Sequence, residues 1–513
     1  MPYSIFLFQT GMSVFTPKSL ITIAILGGGP TGVSLCLQLN QALNALKPNA
    51  RISILVFEKQ TEIGFGLPYS IPEDAFCINL PKEYMALTPG EYHHFSAWLT
   101  ERYPAEGSTF PPRHYFGEYA QERLRTINTS PELEIIPRSE HAVFDVLAVD
   151  NNHYQIHAWH KKKKVTYDVN YVIVATGHLP SDLFAHLHTL RQCQSNPWDM
   201  SRYQNIPTHH HVGIIGTRLT AIDVALKLNQ QRHQGKISMI SRHGLLSAVR
   251  GTHAVPKLQY LIPENIQRLL HSCNSKTLLP SLIQLLEQDI APYLPPSRSL
   301  AETLKVIKTL NPTKRINQEI QQAEANNTAW QSVLSCFYQI IFRIWPTLPP
   351  LQQRHFLETY SSVMLTFLCS FPLNSAYVIQ SMMQSRQLSI HKGLASIEKT
   401  PTDFSIRLGQ GKSLRCDNLI LATGSGDNPE TVPLLANMLK RQLLKKHDLG
   451  GICIDTKTYQ VLTENPISPS QIYALGDLVK GACFKMIELG QVVEQARIVT
   501  NHIVKKISSV LAC

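Results

Sequence analysis

Apolar positions along the first 180 residues follow two different periods, and their order predicts an α/β sheet. Short, continuous apolar runs lie at residues 21–26 and 52–57, and the segment Val33–Leu46 between them has helical spacing. Short apolar runs bounded by turn residues are typical of buried strands. A further strand-like run covers residues 165–177. We therefore predict an α/β sheet in this part of the chain, with a helix between its first two strands.

The same order of elements occurs a second time. Residues 212–215 form an apolar run, a helix-like segment follows, and Ile237–Ser241 is another strand-like run. Residues 178–210, between the two copies, contain three prolines and are interpreted as a linker. Such an internal duplication is more specific than either copy alone.

Residues 255–385 have a different character, and their apolar spacing predicts a helical insert. The clearest example is the series Trp330, Val333, Leu334, Phe337, Ile340, Ile341 and Ile344. Strand-like runs return over residues 388–424. The last predicted strand covers 471–477, and a helix is predicted from about Met486 to Lys506.

The turns that follow the first strand of each copy carry the candidate chemistry. In the first turn, Gly27, Gly29 and Gly32 form a G-x-G-x-x-G pattern, and Glu58 ends the next strand. The first glycine permits the tight turn, the second lets the backbone approach a pyrophosphate, and the third lets helix and strand pack closely. The helix amino terminus offers free N–H groups to phosphate, and Glu58 would accept hydrogen bonds from a ribose diol. This turn therefore predicts a dinucleotide site.

The second turn departs from that pattern, and two interpretations remain open. Arg218 stands where the second glycine is usual, so its side chain either blocks the approach of a pyrophosphate or binds the phosphate directly. Ser241 occupies the position of the acidic residue that NAD-binding sites carry, and Arg242 follows it. An arginine there suits a 2′-phosphate and favours NADPH over NADH, although a solvated strand end is the alternative.

Composition limits the remaining classes of function. The chain has 513 residues, a net charge of +11 and ten cysteines, none in a CxxC pair. Its basic residues are scattered, and Lys161–Lys164 is interpreted as a solvated hairpin tip, so no nucleic-acid partner is predicted. The cysteine spacing favours a reduced, cytoplasmic setting over a disulfide framework. His209–His211 is interpreted as a polar linker rather than a metal site, because consecutive side chains of an extended segment alternate in direction.

The chain also lacks a membrane-spanning apolar run. Residues 1–17 lack the charged region and cleavage site of a signal peptide. Met12 is an alternative start.

Several segments together resemble flavoproteins with two dinucleotide-binding domains, in particular the bacterial FAD–NAD(P)-binding (YdhS-like) family, near the flavin-dependent N-hydroxylases. The segments are Phe76-Cys-Ile-Asn-Leu-Pro81 with Met85, Gly64-Phe-Gly66-x-Pro-Tyr69, Pro112-Arg113-x-x-Phe-Gly117-x-Tyr119, and Ser241-Arg242-His-Gly-Leu-Leu246. The resemblance covers most of residues 21–505. One departure lies at residues 361–372, where the family often carries arginine and histidine and this chain reads Ser-Ser-Val-Met-Leu-Thr-Phe-Leu-Cys-Ser-Phe-Pro.

The resemblance implies an α/β fold with two Rossmann-like dinucleotide-binding domains. The FAD-binding domain would be discontinuous, with parts at 20–205 and 411–513. The NAD(P)-binding domain would be inserted at 206–410 and would include the helical insert of about 255–385. Asn79 and Leu80 would lie on a segment running past the flavin, and Asp477, after Gly476, would meet the ribityl hydroxyls, with a helix cap as the alternative for Asp477. The predicted cofactor-binding residues are Gly27, Gly29, Pro30, Thr31, Gly32, Glu58, Lys59, Gly66, Asn79, Leu80, Thr176, Gly177, Gly216, Thr217, Arg218, Leu219, Thr220, Arg242, Thr423, Gly424, Gly476 and Asp477.

The function implied is an FAD-dependent oxidoreductase that uses NADPH. Hydride would pass from the nicotinamide to the flavin, and the reduced flavin would react with molecular oxygen and hydroxylate a small-molecule substrate. No side chain needs to act as a nucleophile, so no catalytic residue is assigned. Two alternatives remain: a flavin reductase or dehydrogenase with another electron acceptor, and an FAD-binding scaffold with little turnover.

Overall fold

The computed structural model describes residues 20–46, 50–251, 257–273, 276–294, 299–463, 471–484 and 488–511. The predictions for residues 1–17, including the alternative start at Met12, lie outside the described residues. The strands are β1 (Leu20–Leu26), β2 (Arg51–Phe57), β3 (Leu133–Arg138), β4 (His141–Asp150), β5 (His153–His160), β6 (Lys163–Val169), β7 (Tyr171–Val174), β8 (Cys193–Gln194), β9 (Val212–Ile215), β10 (Ile237–Ser241), β11 (Leu388–Lys392), β12 (Leu394–Lys399), β13 (Phe404–Leu408), β14 (Ser413–Cys416), β15 (Asn418–Leu421) and β16 (Ile472–Ala474).

The α-helices of the same residues begin with α1 on the first crossover and end with α16 near the carboxyl terminus. They are α1 (Pro30–Leu46), α2 (Gly66–Tyr69), α3 (His94–Arg102), α4 (His114–Arg125), α5 (Leu219–Gln230), α6 (Pro263–Ser272), α7 (Leu278–Ile290), α8 (Leu300–Thr309), α9 (Pro312–Glu324), α10 (Ala329–Ile344), α11 (Pro350–Thr359), α12 (Ser361–Leu368), α13 (Leu373–Gln384), α14 (Pro433–Lys440), α15 (Lys480–Cys483) and α16 (Leu489–Leu511). None of these helices is both long and apolar enough to cross a membrane.

The first large sheet is parallel, in the order β16-β7-β1-β2-β3. Its central strand is β1, in which every residue from Ile21 to Leu26 is buried. A parallel sheet with helices on its faces must be apolar on both sides, which explains the unbroken apolar runs of the sequence. The antiparallel sheet β4-β5-β6 lies between β3 and β7 along the chain.

The second large sheet repeats this arrangement in the order β11-β10-β9-β15-β8, again with parallel pairing. Here β9 takes the central place that β1 has in the first sheet, and α5 follows β9 as α1 follows β1. The antiparallel sheet β12-β13-β14 precedes β15. The duplication in the sequence therefore corresponds to two similar α/β units.

The helical insert, between β10 and β11, serves two cores. Ile316 and Ile320 of α9 and Ile379 of α13 belong to the core of the second sheet. The other helices build a core of their own, in which Val333 and Phe337 of α10 are almost fully buried. The insert is thus anchored to the second unit by α9 and α13.

The fold class is confirmed, but sheet membership differs from the predicted boundaries in two places. The predicted boundary at 411 assigns β15 to the first unit, whereas β15 pairs with β9 in the second sheet; β8, within the predicted linker, also joins that sheet. Apolar runs show where strands lie but not which sheet they enter. The division into an FAD domain and an NAD(P) domain stays a prediction.

The predicted strand at 165–177 is in fact two strands, β6 and β7, in different sheets. Asn170 separates them: its side-chain oxygen accepts from the Thr22 N–H at 2.9 Å, and its own N–H donates to the Thr22 carbonyl at 2.8 Å. These two bonds turn the chain from the antiparallel sheet into the parallel one. Similarly, α1 begins at Pro30, three residues before the predicted start, since proline suits the first helical position. The last helix begins at Leu489, and Met486 lies outside the described residues.

Candidate nucleotide-binding cleft

The first glycine turn joins β1 to α1 with backbone approaches that only glycine permits. Gly27 has φ +128°, and a Cβ on it would lie 2.2 Å from the carbonyl oxygen of Ala175. A Cβ on Gly32 would lie 2.1 Å from the carbonyl oxygen of Gly27. The turn is therefore wedged between its own helix and the end of β7, and the first N–H groups of α1 stand at its mouth.

Glu58 holds this turn from the end of β2. One carboxylate oxygen accepts from the Gly28 N–H at 3.0 Å, and the other accepts from the Gln60 N–H at 3.0 Å. The loop containing Gly66 lies against the turn, because a Cβ on Gly29 would be 3.2 Å from the Gly66 Cα. Glu58 and Gly66 thus border the path that a nucleotide would follow.

The second glycine turn has the same geometry. Gly216 has φ +138°, and a Cβ on it would lie 2.2 Å from the carbonyl oxygen of Ala422. Ala422 therefore contacts the second turn in the same way as Ala175 contacts the first. The glycines two residues after these alanines, Gly177 and Gly424, have φ +74° and +78°. Each Ala-Thr-Gly segment of the sequence therefore closes against the glycine turn of its own unit.

Arg218, the departure from the glycine pattern, is attached to the helical insert. Its Nη2 donates to the Ser362 carbonyl on α12 at 2.7 Å, while its Nη1 is buried without a hydrogen-bond partner among the described residues. Burial lowers the pKa of Arg218, and the nearby Arg315 and Arg242 lower it further. A buried guanidinium with an unsatisfied N–H group favours an anion beside it.

Thr217 and Ser241 close the base of the second turn. The two hydroxyls lie 3.0 Å apart, and Thr217 also donates to the Leu245 carbonyl at 2.7 Å. Ser241 accepts from the Gly244 N–H at 2.9 Å. Arg242, directly after β10, is exposed. The pKa of the neighbouring His243 is lowered by burial and then by the charges of Arg242, Lys308 and Arg218, so this end of the cleft is positively charged.

Asp477 follows β16 in a turn that begins at Gly476, with φ +76°. Its Oδ2 accepts from Ser425 Oγ and from the Leu179 N–H, the latter at 3.3 Å, and lies 3.4 Å from Lys480 Nζ. Lys480 is 3% exposed and also faces Asp427 at 3.5 Å. The bonds described for Asp477 all involve Oδ2, so its other oxygen remains available to a ligand.

The two turns open into one cleft of about 1860 Å³ that runs from the first unit to the second. Every predicted cofactor-binding residue lines it except Gly32, Asn79 and Leu80. Gly32 is enclosed in the turn itself. Leu80 packs against the apolar cluster of α3 and α4. The structure therefore brings neither Asn79 nor Leu80 into the lining, and the cofactor contacts of the other residues stay predictions.

Sequence reasoning missed several residues of the cleft and its support. Ser425 directly follows the second Ala-Thr-Gly, and Lys480 is three residues after Asp477, so both could have been found from helix and turn spacing. Ser361, Ser362, Leu365 and Cys369 line the cleft from α12 and the residue after it. Nothing in their spacing relates them to a turn 140 residues earlier. The insert segment that lacks the family's charged residues thus meets Arg218 instead.

Comparisons with known proteins agree with this geometry. A family model described as FAD-NAD(P)-binding matches residues 24–179, which contain the first glycine turn and the first Ala-Thr-Gly. Among curated proteins, the uncharacterized protein YdhS of Escherichia coli (strain K12) is 26% identical over 217 residues, or 40% of this chain. The match spans 38% of that relative's length. The resemblance drawn from the sequence motifs is confirmed.

Solved structures with this fold include two ornithine hydroxylases and a cadaverine monooxygenase. The ornithine N-hydroxylase of Kutzneria sp. 744 aligns with TM-score 0.54 and 12% identity, over 96% of this chain and 99% of that one. The reduced ornithine hydroxylase of Pseudomonas aeruginosa gives 0.55 and 14%, over 95% and 99%. The FAD-bound cadaverine monooxygenase of Erwinia amylovora gives 0.55 and 12%, over 94% of both chains. At these identities the likeness shows the fold alone.

The family match and the shared fold bear out the predicted cofactors, FAD and NAD(P), whereas the residues that bind them stay a prediction. The coarser functional prediction, a flavin-dependent oxidoreductase, agrees with both findings.

Proposed function

We propose that this chain is an NADPH-dependent flavin monooxygenase that hydroxylates a small molecule with molecular oxygen. The observation that carries the proposal is the single cleft joining two glycine turns from two parallel sheets. Ligands of such sheets bind beyond the carboxyl ends of the strands. One continuous cleft lets two nucleotides lie end to end, as hydride transfer between them requires.

The residues of the first turn suit FAD. The bare backbone at Gly27 and Gly29 allows a pyrophosphate to approach the amino terminus of α1, and Glu58 is held where it can meet the adenosine ribose. Asp477 offers its second oxygen to the ribityl chain. Bound FAD supplies the redox chemistry, by accepting hydride from the nicotinamide and passing electrons to oxygen, and the protein positions both nucleotides and excludes water.

The residues of the second turn suit a nucleotide with a 2′-phosphate. Arg242 is exposed at the end of β10, and Lys308 and Arg218 add positive charge to the same end of the cleft. We propose that Arg218 binds phosphate rather than blocking it, because the bond to Ser362 holds the guanidinium towards α12 and leaves one N–H group unsatisfied. The solved structures named as N-hydroxylases and amine monooxygenases support hydroxylation as the reaction; the substrate itself is open.

The first test is anaerobic addition of NADPH to the purified FAD-bound protein. We expect loss of the oxidised-flavin absorbance. Under air we expect NADPH consumption that depends on added substrate and yields a hydroxylated product. Fast reduction of a quinone or dye without oxygen insertion would favour the reductase alternative. A flavin spectrum that neither NADPH nor NADH bleaches would contradict the proposal and favour the scaffold.

Arg218 variants then separate the two interpretations of the second turn. We expect Arg218→Gly to weaken NADPH binding about 10- to 100-fold, because a charge-assisted contact to phosphate is lost, and Arg218→Lys to weaken it less. Binding is measured with two ligands, NADP⁺ and 2′-AMP, the second of which lacks the pyrophosphate. Arg242→Gln is the matched variant, because it should weaken the binding of both ligands. Tighter NADP⁺ binding by Arg218→Gly would show that Arg218 blocks the site.

A cytoplasmic location is part of the same proposal, since the cofactors are intracellular.

A further inference from the structure

Helix α5, which begins directly after the second glycine turn, is attached to the first unit by a buried ion pair. Arg113 precedes α4 in the first unit, and Asp223 lies in the second turn of α5. Arg113 Nη1 lies 3.1 Å from Asp223 Oδ2, and Nη2 lies 3.2 Å from Oδ1. The side chains are 7% and 12% exposed. The contact to Oδ1 is a hydrogen bond, whereas Oδ2 is buried near Nη1 without a hydrogen-bond partner among the described residues.

Arg113 is itself held rigidly by the first unit. Its Nε and Nη2 donate to the Cys77 carbonyl at 3.3 and 3.0 Å, and its backbone N–H donates to the Phe76 carbonyl at 2.8 Å. The guanidinium lies 5.7 Å from the ring centroids of both Phe76 and Trp198, and Trp198 lies between β8 and β9, two strands of the second sheet. Asp223 therefore meets a cation that has little freedom to follow a moving helix.

A second ion pair lies one helical turn further along the same face of α5. Lys227 Nζ lies 2.5 Å from Glu73 Oε1, with exposed fractions of 10% and 21%. Residues 223 and 227 are four apart, so both point to the same side of the helix. Two such contacts on one face fix the rotation of α5 as well as its position.

These four side chains do not line the cleft, so they are not nucleotide contacts. A buried ion pair gives little net stability over an apolar pair of similar size, and its better-supported use is to specify one arrangement. We propose that Arg113–Asp223, assisted by Lys227–Glu73, is a positioning device. It holds the second glycine turn in register with the first and so sets the distance over which hydride passes from nicotinamide to flavin. This inference rests on the proposed function.

The device acts on geometry rather than on affinity. The nucleotide sites lie at the mouths of the turns, and neither turn loses a contact when the ion pair is removed. A displacement of about 1 Å between reacting groups costs about 100-fold in rate. We therefore expect the limiting rate of flavin reduction to fall 10- to 100-fold, while the Kd for NADPH and the FAD content change less than 2- to 3-fold.

The test variant is Arg113→Met combined with Asp223→Leu, which removes both charges and leaves no buried charge unpaired. Anaerobic stopped-flow reduction over a range of NADPH concentrations gives the limiting rate and the Kd separately. The matched control is Lys446→Met with Glu430→Leu, an exposed pair 2.8 Å apart that is remote from α5 in the chain. We expect native reduction by the control. Lys227→Met with Glu73→Leu is a milder second variant.

Two results would overturn the inference: a native limiting rate in the double variant, or a raised Kd with an unchanged limiting rate. Failure of the proposed function is recognised separately, since NADPH then fails to reduce the native protein. In that event, amide hydrogen exchange tests whether the ion pairs position α5. We expect faster exchange in α5 and in residues 73–84 of the double variant but not of the control, and unchanged exchange in both would refute the positioning role.

Discussion

The first glycine turn offers the sharpest test of the structure, through the substitution Gly27→Ala. The added Cβ would lie 2.2 Å from the Ala175 carbonyl oxygen, far inside van der Waals contact, and the backbone would keep φ +128°. An L-residue in such a conformation costs about 1–3 kcal/mol, and forcing an atom into a packed site costs about 1–3 kcal/mol more. Against a typical stability of about 5–15 kcal/mol, this is a large loss.

Two other glycines separate the contributions to that loss. Gly90 has φ +84° with nothing within 4 Å of the position of a Cβ, so Gly90→Ala measures backbone strain alone. Gly107 also has open space around it and an ordinary φ, so Gly107→Ala measures the effect of the methyl group. We expect about 1–2 kcal/mol for Gly90→Ala and less than about 0.5 kcal/mol for Gly107→Ala.

The assay is urea unfolding followed by intrinsic fluorescence, with FAD titration of each folded variant. We expect Gly27→Ala to lose several kcal/mol of stability and to bind FAD at least 100-fold more weakly, because Ala175 and the turn must separate. A Gly27→Ala protein that is as stable as Gly90→Ala and binds FAD normally would refute the proposed role of the turn.

Three further predictions concern the support of the cleft. Glu58→Gln should weaken FAD binding about 10-fold, measured by flavin fluorescence, because an amide cannot accept from both backbone N–H groups that the carboxylate now holds; an unchanged Kd would contradict this. Lys480→Met should lower the free energy of unfolding in urea by about 3–5 kcal/mol, since it leaves Asp477 without its buried cation, and a loss below about 1 kcal/mol would argue against that role. Burial lowers the pKa of His211 and of His391 from the ordinary 6.5, so the unfolded chain takes up protons first as the pH falls. Stability should therefore decline below pH 6.5, and the double variant His211→Asn, His391→Asn should show a flatter profile of Tm against pH; parallel profiles would exclude these two groups.

Local features of the sequence determined the two glycine turns. Gly27 and Gly216 follow apolar runs and precede helix-like segments, and their function depends on backbone conformation within a few residues. Such features can be read locally because glycine alone adopts the required φ. The residues predicted from these turns accordingly line the cleft, apart from Gly32. The α/β character of both units was also predicted from the sequence, because short apolar runs alternate with helix-like segments.

Tertiary structure alone decided how distant segments meet. The spacing of Asn418–Leu421 could not show that this strand joins the second sheet, because an apolar run carries no information about its neighbour. Asn79 and Leu80 were expected beside the flavin, but neither lines the cleft, and Leu80 packs against the apolar cluster of α3 and α4 instead. The contact between Arg218 and Ser362 joins residues 144 positions apart.

The ion pair of Arg113 and Asp223 shows the same division most clearly. Sequence motifs marked Arg113 as part of a family signature without a role, and Asp223 lay unnoticed in a helix. Charge pairing depends on separation in space, and the two residues stand 110 positions apart, with strands of both large sheets between them. The sequence determined the chemistry of a residue, through its type and its turn. The partner of that residue was decided only by the packing of the two units, because pairing depends on distance in space.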